Sequence, residues 1–252
     1  MEANRPIVIS IAGFDPSGGA GLLADIKTFE QHKVHGLGIS TAQTLQTEDE
    51  FIGIRWENQK DILQSLETML SRYPVKAVKI GIVENMGILE KIVSMVHSKK
   101  NAIKIVWDTV IKSTSGFNFW NKEVDDEQLY QTLKMVDVIT PNYNEAVQLV
   151  SNISDAKQAA KKLSAYCNVL LKGGHNIAER GVDYLYTKNH VERLEGNKDV
   201  VFAKHGSGCV LSAAIAANLA LDKHLPTACK NAKQYIEQFL SSNETLLGYH
   251  HV

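Results

Sequence analysis

Only three cysteines, Cys167, Cys209 and Cys229, occur in this 252-residue chain, and no two form a CxxC pair. That odd, dispersed set excludes a disulfide framework and fits a reducing compartment. Long apolar runs are missing as well. No stretch reaches the roughly 18 to 20 apolar residues that a bilayer span needs, and the run that opens the chain is too short for a signal peptide. A cytoplasmic location is therefore expected. Excess charge of one sign is also absent: 27 lysine and arginine residues face 28 aspartate and glutamate residues, for a formal net charge of -1. With no basic block and no regular aromatic interleaving, nucleic acid and acidic membrane surfaces are poor partners. The adjacent histidines of the terminal GYHHV read as solvated side chains rather than metal ligands.

Two familiar nucleotide signatures are missing too. The glycine-rich run GFDPSGGAG at 13–21 lacks the lysine and hydroxyl residue that end a P-loop, and there is no Rossmann GxGxxG with its acidic partner. A P-loop NTPase and an ordinary nicotinamide enzyme are disfavoured.

What is present is alternation. β-branched runs at 6–12, 37–45, 75–80, 103–108, 136–140 and 168–172 are separated by amphipathic segments at about 19–32, 58–72, 85–98, 125–135 and 155–166. Successive βα units of this kind predict an α/β fold whose mostly parallel sheet is covered on both faces. The runs at 182–187 and 191–196 read as a hairpin, and a short strand is expected near 199–203, before helices at about 209–222 and 226–240. An antiparallel edge on an open sheet suits this order better than a closed barrel, which stays open as an alternative. The length suits a single domain over 1–252.

In open α/β sheets, ligands collect beyond the C-terminal ends of the strands. That rule selects GFDPSGGAG, Gln46, GIVEN at 81–85, Asp108, PNYNE at 141–145 and KGGH at 172–175. The run HGSGC at 205–209 adds Gly206, Ser207, Gly208 and Cys209 at the mouth of a small, apolar helix. Free backbone N–H groups there can receive an anion and lower a thiol pKa. Equally, the turn can be only a tight lead into a buried helix, with Cys209 as a small hydrophobe. His205 reads as a structural hydrogen-bonding residue or as a phosphate or proton contact. Lys172 can reach nucleotide phosphates or simply water. Asp108 can hold a magnesium-bound water or cap its own turn, and Asn142 with Glu145 forms either a capping box or part of a phosphate and metal site.

Taken together, AGFDPSGGAGLLADIKTF at 12–29, VKIGI at 78–82, WDTVIKSTSG at 107–116, TPNYNEA at 140–146, LKGGH at 171–175 and HGSGCVLSAAIAA at 205–217 carry a resemblance that covers nearly the whole chain. The chain resembles the hydroxymethylpyrimidine and phosphomethylpyrimidine kinases of thiamine biosynthesis, in the ribokinase superfamily. The resemblance implies a ribokinase-like three-layer αβα sandwich and ATP- and magnesium-dependent phosphorylation of 4-amino-5-hydroxymethyl-2-methylpyrimidine, followed by its monophosphate. It implies an anion hole at Gly206, Ser207 and Gly208, a base at Cys209, a phosphate contact at Lys172, and magnesium and phosphate positions at Asp108, Asn142 and Glu145. The pyrimidine is expected against Gly13, Asp15, Ala20, Gln46, Ile82 and Val110, where the Gln46 amide offers both a donor and an acceptor. A homodimer and a monovalent cation are compatible with the superfamily. Val210, Thr109 and Ile82 depart from the family's pattern, as does the missing asparagine after Gln46. Pyridoxal or pyridoxine phosphorylation, and a pyrimidine-binding regulatory protein without turnover, are the alternative functions.

Overall fold

A computed structural model describes residues 5–99, 102–112, 118–120, 125–176, 179, 181–196 and 202–250. Its strands are β1 (Ile7–Phe14), β2 (His35–Gln46), β3 (Phe51–Trp56), β4 (Val75–Ile80), β5 (Lys104–Trp107), β6 (Val138–Ile139), β7 (Asn168–Leu171), β8 (Asp183–Tyr186) and β9 (Val191–Leu194). The helices are α1 (Gly21–Gln31), α2 (Gln59–Arg72), α3 (Met86–His97), α4 (Asp126–Leu133), α5 (Tyr143–Gln148), α6 (Ala156–Leu163), α7 (Ser207–Ala220) and α8 (Leu225–Leu240), with a short 3₁₀ turn at Gly173–His175.

The strands form one open sheet in the order β3-β2-β1-β4-β5-β6-β7-β8-β9, so the barrel alternative is excluded. From β2 to β7 neighbouring strands run parallel, which brings their C-terminal ends to one edge. The central strands are apolar on both faces because helices cover both. One core lies between the sheet and α2 to α6, and the other between the sheet and α1, α7 and α8. This is the expected three-layer αβα arrangement. Helix starts are marked by side-chain caps at Asn58, Asn85, Asp125 and Asp155, each accepting from a backbone N–H in the first turn. Helix α7 differs: eleven of its fourteen residues are buried, so it is a core helix with no polar face.

The sheet has one edge strand more than expected. Antiparallel pairing occurs at both edges, because β3 pairs with β2 as well as β8 with β7 and β9. The patterning of 51–56 gave no strand signal, since this edge strand is partly exposed along its whole length and its alternation is weak. The short strand expected near 199–203 falls mostly outside the described residues, and Phe202 and Ala203 carry no strand. Among the described residues no helix is long and apolar enough to cross a membrane.

Candidate active site

The turn before α7 is held in a backbone conformation that suits glycine. Gly206 caps the helix at φ 70°, and a Cβ there would collide with the Gly19 carbonyl oxygen. The first-strand loop and the turn therefore interlock. Ser207, Gly208 and Cys209 follow as the opening residues of α7, where helix N–H groups lack intrahelical acceptors. A Cβ on Gly208 would lie 3.2 Å from Lys172 Nζ and 3.9 Å from Asp108 Oδ2. The bare backbone thus meets the charged groups at one point.

Asp108, just beyond β5, is wholly buried. Its Oδ1 accepts from Lys172 Nζ at 2.8 Å and Thr140 Oγ1 at 2.9 Å, while Oδ2 accepts from Ser212 Oγ of α7 at 3.1 Å. Burial alone would raise this carboxyl, but the Lys172 and Lys79 ammonium groups outweigh it and hold Asp108 below the ordinary carboxylate range. Lys172 is opposed by its own burial, yet Asp108 and Glu145 keep it firmly protonated. Glu145 is pushed up by burial despite Lys172, and the Asp108 charge adds to the push.

Asn142 and Glu145 realise the capping reading in full. Asn142 Oδ1 accepts from the Glu145 N–H at 2.9 Å, and Glu145 Oε2 accepts from the Asn142 N–H at 2.8 Å. Glu145 Oε2 also lies 3.9 Å from Lys172 Nζ and accepts from Thr109 Oγ1 at 3.2 Å. The cap therefore fixes a carboxylate beside the Lys172–Asp108 pair. Two carboxylates around one ammonium leave surplus negative charge, a donor set that suits magnesium arriving with phosphates and water. No group of three or more histidine, cysteine, aspartate or glutamate side chains that could hold a metal ion occurs among the described residues.

Cys209 does not match the expected low-pKa thiol. Burial pushes it up to about 11; Lys79 opposes that, Asp108 and Asp25 reinforce it, and a hydrogen bond from the Gly21 N–H opposes it again. Two neighbouring carboxylates and lost hydration outweigh the helix terminus on which the expectation rested.

Asp15 organises the first-strand loop. Its carboxylate accepts from the Ser17 N–H and hydroxyl, from the Ala20 N–H at 2.8 Å, and pairs with His205 Nε2 at 2.9 Å. Burial works against its charge, but these bonds prevail, His205 foremost, and lower its pKa. Gly13 abuts Ile82, whose side chain a Cβ at Gly13 would strike. Thr41 Oγ1 donates to the Ile82 carbonyl at 2.7 Å, and the Val110 N–H donates to the Asp108 carbonyl at 2.8 Å. Gln46 ends β2 and donates to Thr44 Oγ1 at 2.9 Å, which in turn donates to the Phe14 carbonyl at 2.9 Å. Gln46 is thus tied to the first-strand loop through Thr44 rather than by a direct bond.

The departures now have places. Thr109 supplies the hydroxyl that holds Glu145, and Val210 is wholly buried in the core under α7. The segment 113–117, which includes part of WDTVIKSTSG, lies outside the described residues. Sequence reasoning missed Thr140 and Ser212, which clamp Asp108, and the fully buried pair Lys79–Asp25, 2.8 Å apart. A signal existed for Lys79: a lysine inside a strand buried on both faces needs a partner.

A family model described as phosphomethylpyrimidine kinase matches residues 15–252. The hydroxymethylpyrimidine/phosphomethylpyrimidine kinase of Aquifex aeolicus is 34% identical over 246 residues, covering 95% of this chain and 96% of that protein. The pyridoxal kinase of Staphylococcus aureus in complex with ADP is similar with a TM-score of 0.84 at 26% identity, over 97% of this chain and 91% of that one. For the phosphomethylpyrimidine kinase of Clostridium difficile the TM-score is 0.75 at 32% identity, over 92% of this chain and 98% of that one.

Proposed function

The chain belongs to the phosphomethylpyrimidine kinase family and is an ATP-dependent kinase of the ribokinase superfamily; from that premise we propose that it phosphorylates 4-amino-5-hydroxymethyl-2-methylpyrimidine and then the monophosphate, serving thiamine biosynthesis. The observation that carries the reading is the meeting of Gly208, Lys172 and Asp108, where the side-chain-free start of a helix, a cation and a buried carboxylate converge. Full-length identity of 34% to a protein named for both phosphorylations supports the choice of substrate.

In this reading the γ-phosphoryl group of ATP is received by the N–H groups of Ser207, Gly208 and Cys209, and Lys172 offsets its charge. Asp108 and Glu145 are the residues that would hold magnesium, which supplies charge neutralisation on the phosphates when bound. Gln46 reads the aminopyrimidine edge, Gly13 leaves room for the ring, and Ile82 and Val110 give it apolar walls. Asp15 and Ala20 border the hydroxymethyl end, with His205 orienting the Asp15 carboxylate. The hydroxyl is thereby aligned for in-line attack.

Cys209 takes the hydroxyl proton through the small fraction of thiolate present at neutral pH. With a thiol pKa of about 11, that fraction is on the order of one in ten thousand at pH 7. Phosphoryl transfer with a loose transition state tolerates such limited base assistance, because little proton removal is needed before the phosphoryl bond has largely broken.

Parallel assays with hydroxymethylpyrimidine, its monophosphate, pyridoxal and pyridoxine, with product identification, test the proposal. Mono- and diphosphorylated pyrimidine are the expected products. Phosphorylation of only the pyridoxine vitamers would replace this reading by a second one, which the higher TM-score to the Staphylococcus aureus pyridoxal kinase favours. Tight pyrimidine binding without product, despite ATP and magnesium, would instead identify a binding protein. A cytoplasmic enzyme working as a homodimer completes the proposal.

A further inference from the structure

The residue immediately before HGSGC is a buried lysine with an unusual set of partners. Lys204 is only 7% exposed, and its ammonium group donates to the Asn243 carbonyl, to Asn243 Oδ1 at 3.2 Å and to the Thr245 carbonyl at 2.7 Å. The Phe202 ring lies beneath it, 5.4 Å from ring centroid to Nζ. No carboxylate is among its partners in the described residues. A buried ammonium is ordinarily paired with an anion; here three neutral oxygens and an aromatic face do the work that oxygen ligands do for a bound small cation.

Those oxygens belong to a segment near the C-terminus that packs on the anion turn. Asn243 is its hub: Oδ1 also accepts from the Thr245 N–H and hydroxyl, and Nδ2 donates to the Leu247 carbonyl. The His205 N–H donates to the Leu246 carbonyl at 2.9 Å, while a Cβ at Gly19 would lie 2.7 Å from Leu247 Cδ2 and 2.8 Å from the His205 ring. Residues 243–247 therefore back the junction where Gly206 interlocks with Gly19. They also back the histidine that holds Asp15.

We propose that Lys204 is a positioning residue whose ammonium serves as a built-in cation, fastening the Asn243–Leu247 segment behind the anion turn in the manner of a bound monovalent ion. Its charge is offset by dipoles rather than by a carboxylate. Because the cradle is already filled, no separate monovalent ion is required there. This inference rests on the phosphate-binding part of the functional reading and is independent of which heteroaromatic alcohol is phosphorylated.

The test is direct titration with ADP together with turnover, in potassium, ammonium or tetramethylammonium chloride at constant ionic strength. The wild-type protein is expected to be indifferent to the cation. Lys204→Met should bind ADP on the order of tenfold more weakly in tetramethylammonium, the loss expected for charge-assisted hydrogen bonds, and should recover in potassium or ammonium, which fit the vacated cradle. Wild-type affinity that depends on potassium would overturn the proposal, as would a Lys204→Met variant that is unimpaired or that no small cation rescues. If Lys204→Met fails to fold, Asn243→Ala, which removes one oxygen of the cradle, must weaken ADP binding, and the wild-type cation exchange still decides. ADP titration involves no acceptor, so failure here is separable from an error about the pyrimidine.

Discussion

The two ends of the candidate site are built on different principles. At the proposed phosphate end, Asp108 and Glu145 are buried, Lys172 is mostly covered, and the three are locked by Thr140, Ser212, Thr109 and the α5 cap. At the proposed acceptor end, Gly13, Ile82 and Val110 offer shape and apolar surface, and the Gln46 side chain is held through Thr44. Charge in low dielectric is expensive to misplace, so the first end tolerates little change. Apolar contacts discriminate between similar ligands by only about 1–3 kcal/mol. A kinase scaffold of this kind can keep its chemistry while its choice among hydroxymethyl heteroaromatics drifts, which agrees with similarity to both pyrimidine and pyridoxal kinases.

Variants at the two ends sharpen this contrast. The largest effect is expected for Cys209→Ala, which should lower turnover by about 10²- to 10⁴-fold with ADP affinity retained; near-normal turnover would remove Cys209 as the base. In the unsubstituted protein the rate should climb about tenfold per pH unit between 7 and 9, because the thiol lies near 11 and its thiolate grows with pH below that value. A flat profile would mean that the proton leaves by another route.

Lys172→Met comes next. A loss of about 10²- to 10³-fold in ATP-dependent turnover is expected from removing one charge-stabilising donor, and calorimetry should show weaker nucleotide binding. Unchanged affinity and rate would contradict its phosphate role. Gly206→Ala should cost about 1–3 kcal/mol in thermal or denaturant unfolding, since alanine is strained at φ 70° and its methyl meets the Gly19 carbonyl. Its ADP affinity should fall as well, and a variant of unaltered stability would argue that the interlocked loops yield easily.

The smallest change belongs to the acceptor end. Gln46→Leu should raise KM for hydroxymethylpyrimidine about tenfold, the worth of one or two hydrogen bonds, with KM for ATP unaltered. Equal pyrimidine affinity would place the recognition elsewhere and weaken the division between the two ends.

Much of the fold was legible because βα alternation is a local pattern: burial on both faces of β5 and β7 writes itself as short apolar runs, Ile105–Trp107 and Val169–Leu171. Strand β3 left no such trace, since an edge strand need satisfy only one neighbour. At the site, the glycines of HGSGC and the capping residues Asn142 and Glu145 could be read from residue type and spacing. Thr140, Ser212, Lys79, Asp25 and Lys204 could not be assigned partners, because each meets groups from remote parts of the chain.

By itself, then, the sequence determined the layered α/β architecture, the strand ends where ligands gather and the chemical types available there. The tertiary structure decided which charges meet and what state they take. It pushed the Cys209 thiol up where a low value was expected, gave Thr109 a partner in Glu145, and wrapped Lys204 in neutral oxygens. The reason is physical: periodicity and backbone preference act between neighbours in sequence, whereas desolvation and Coulomb coupling depend on distances that only the packed fold sets.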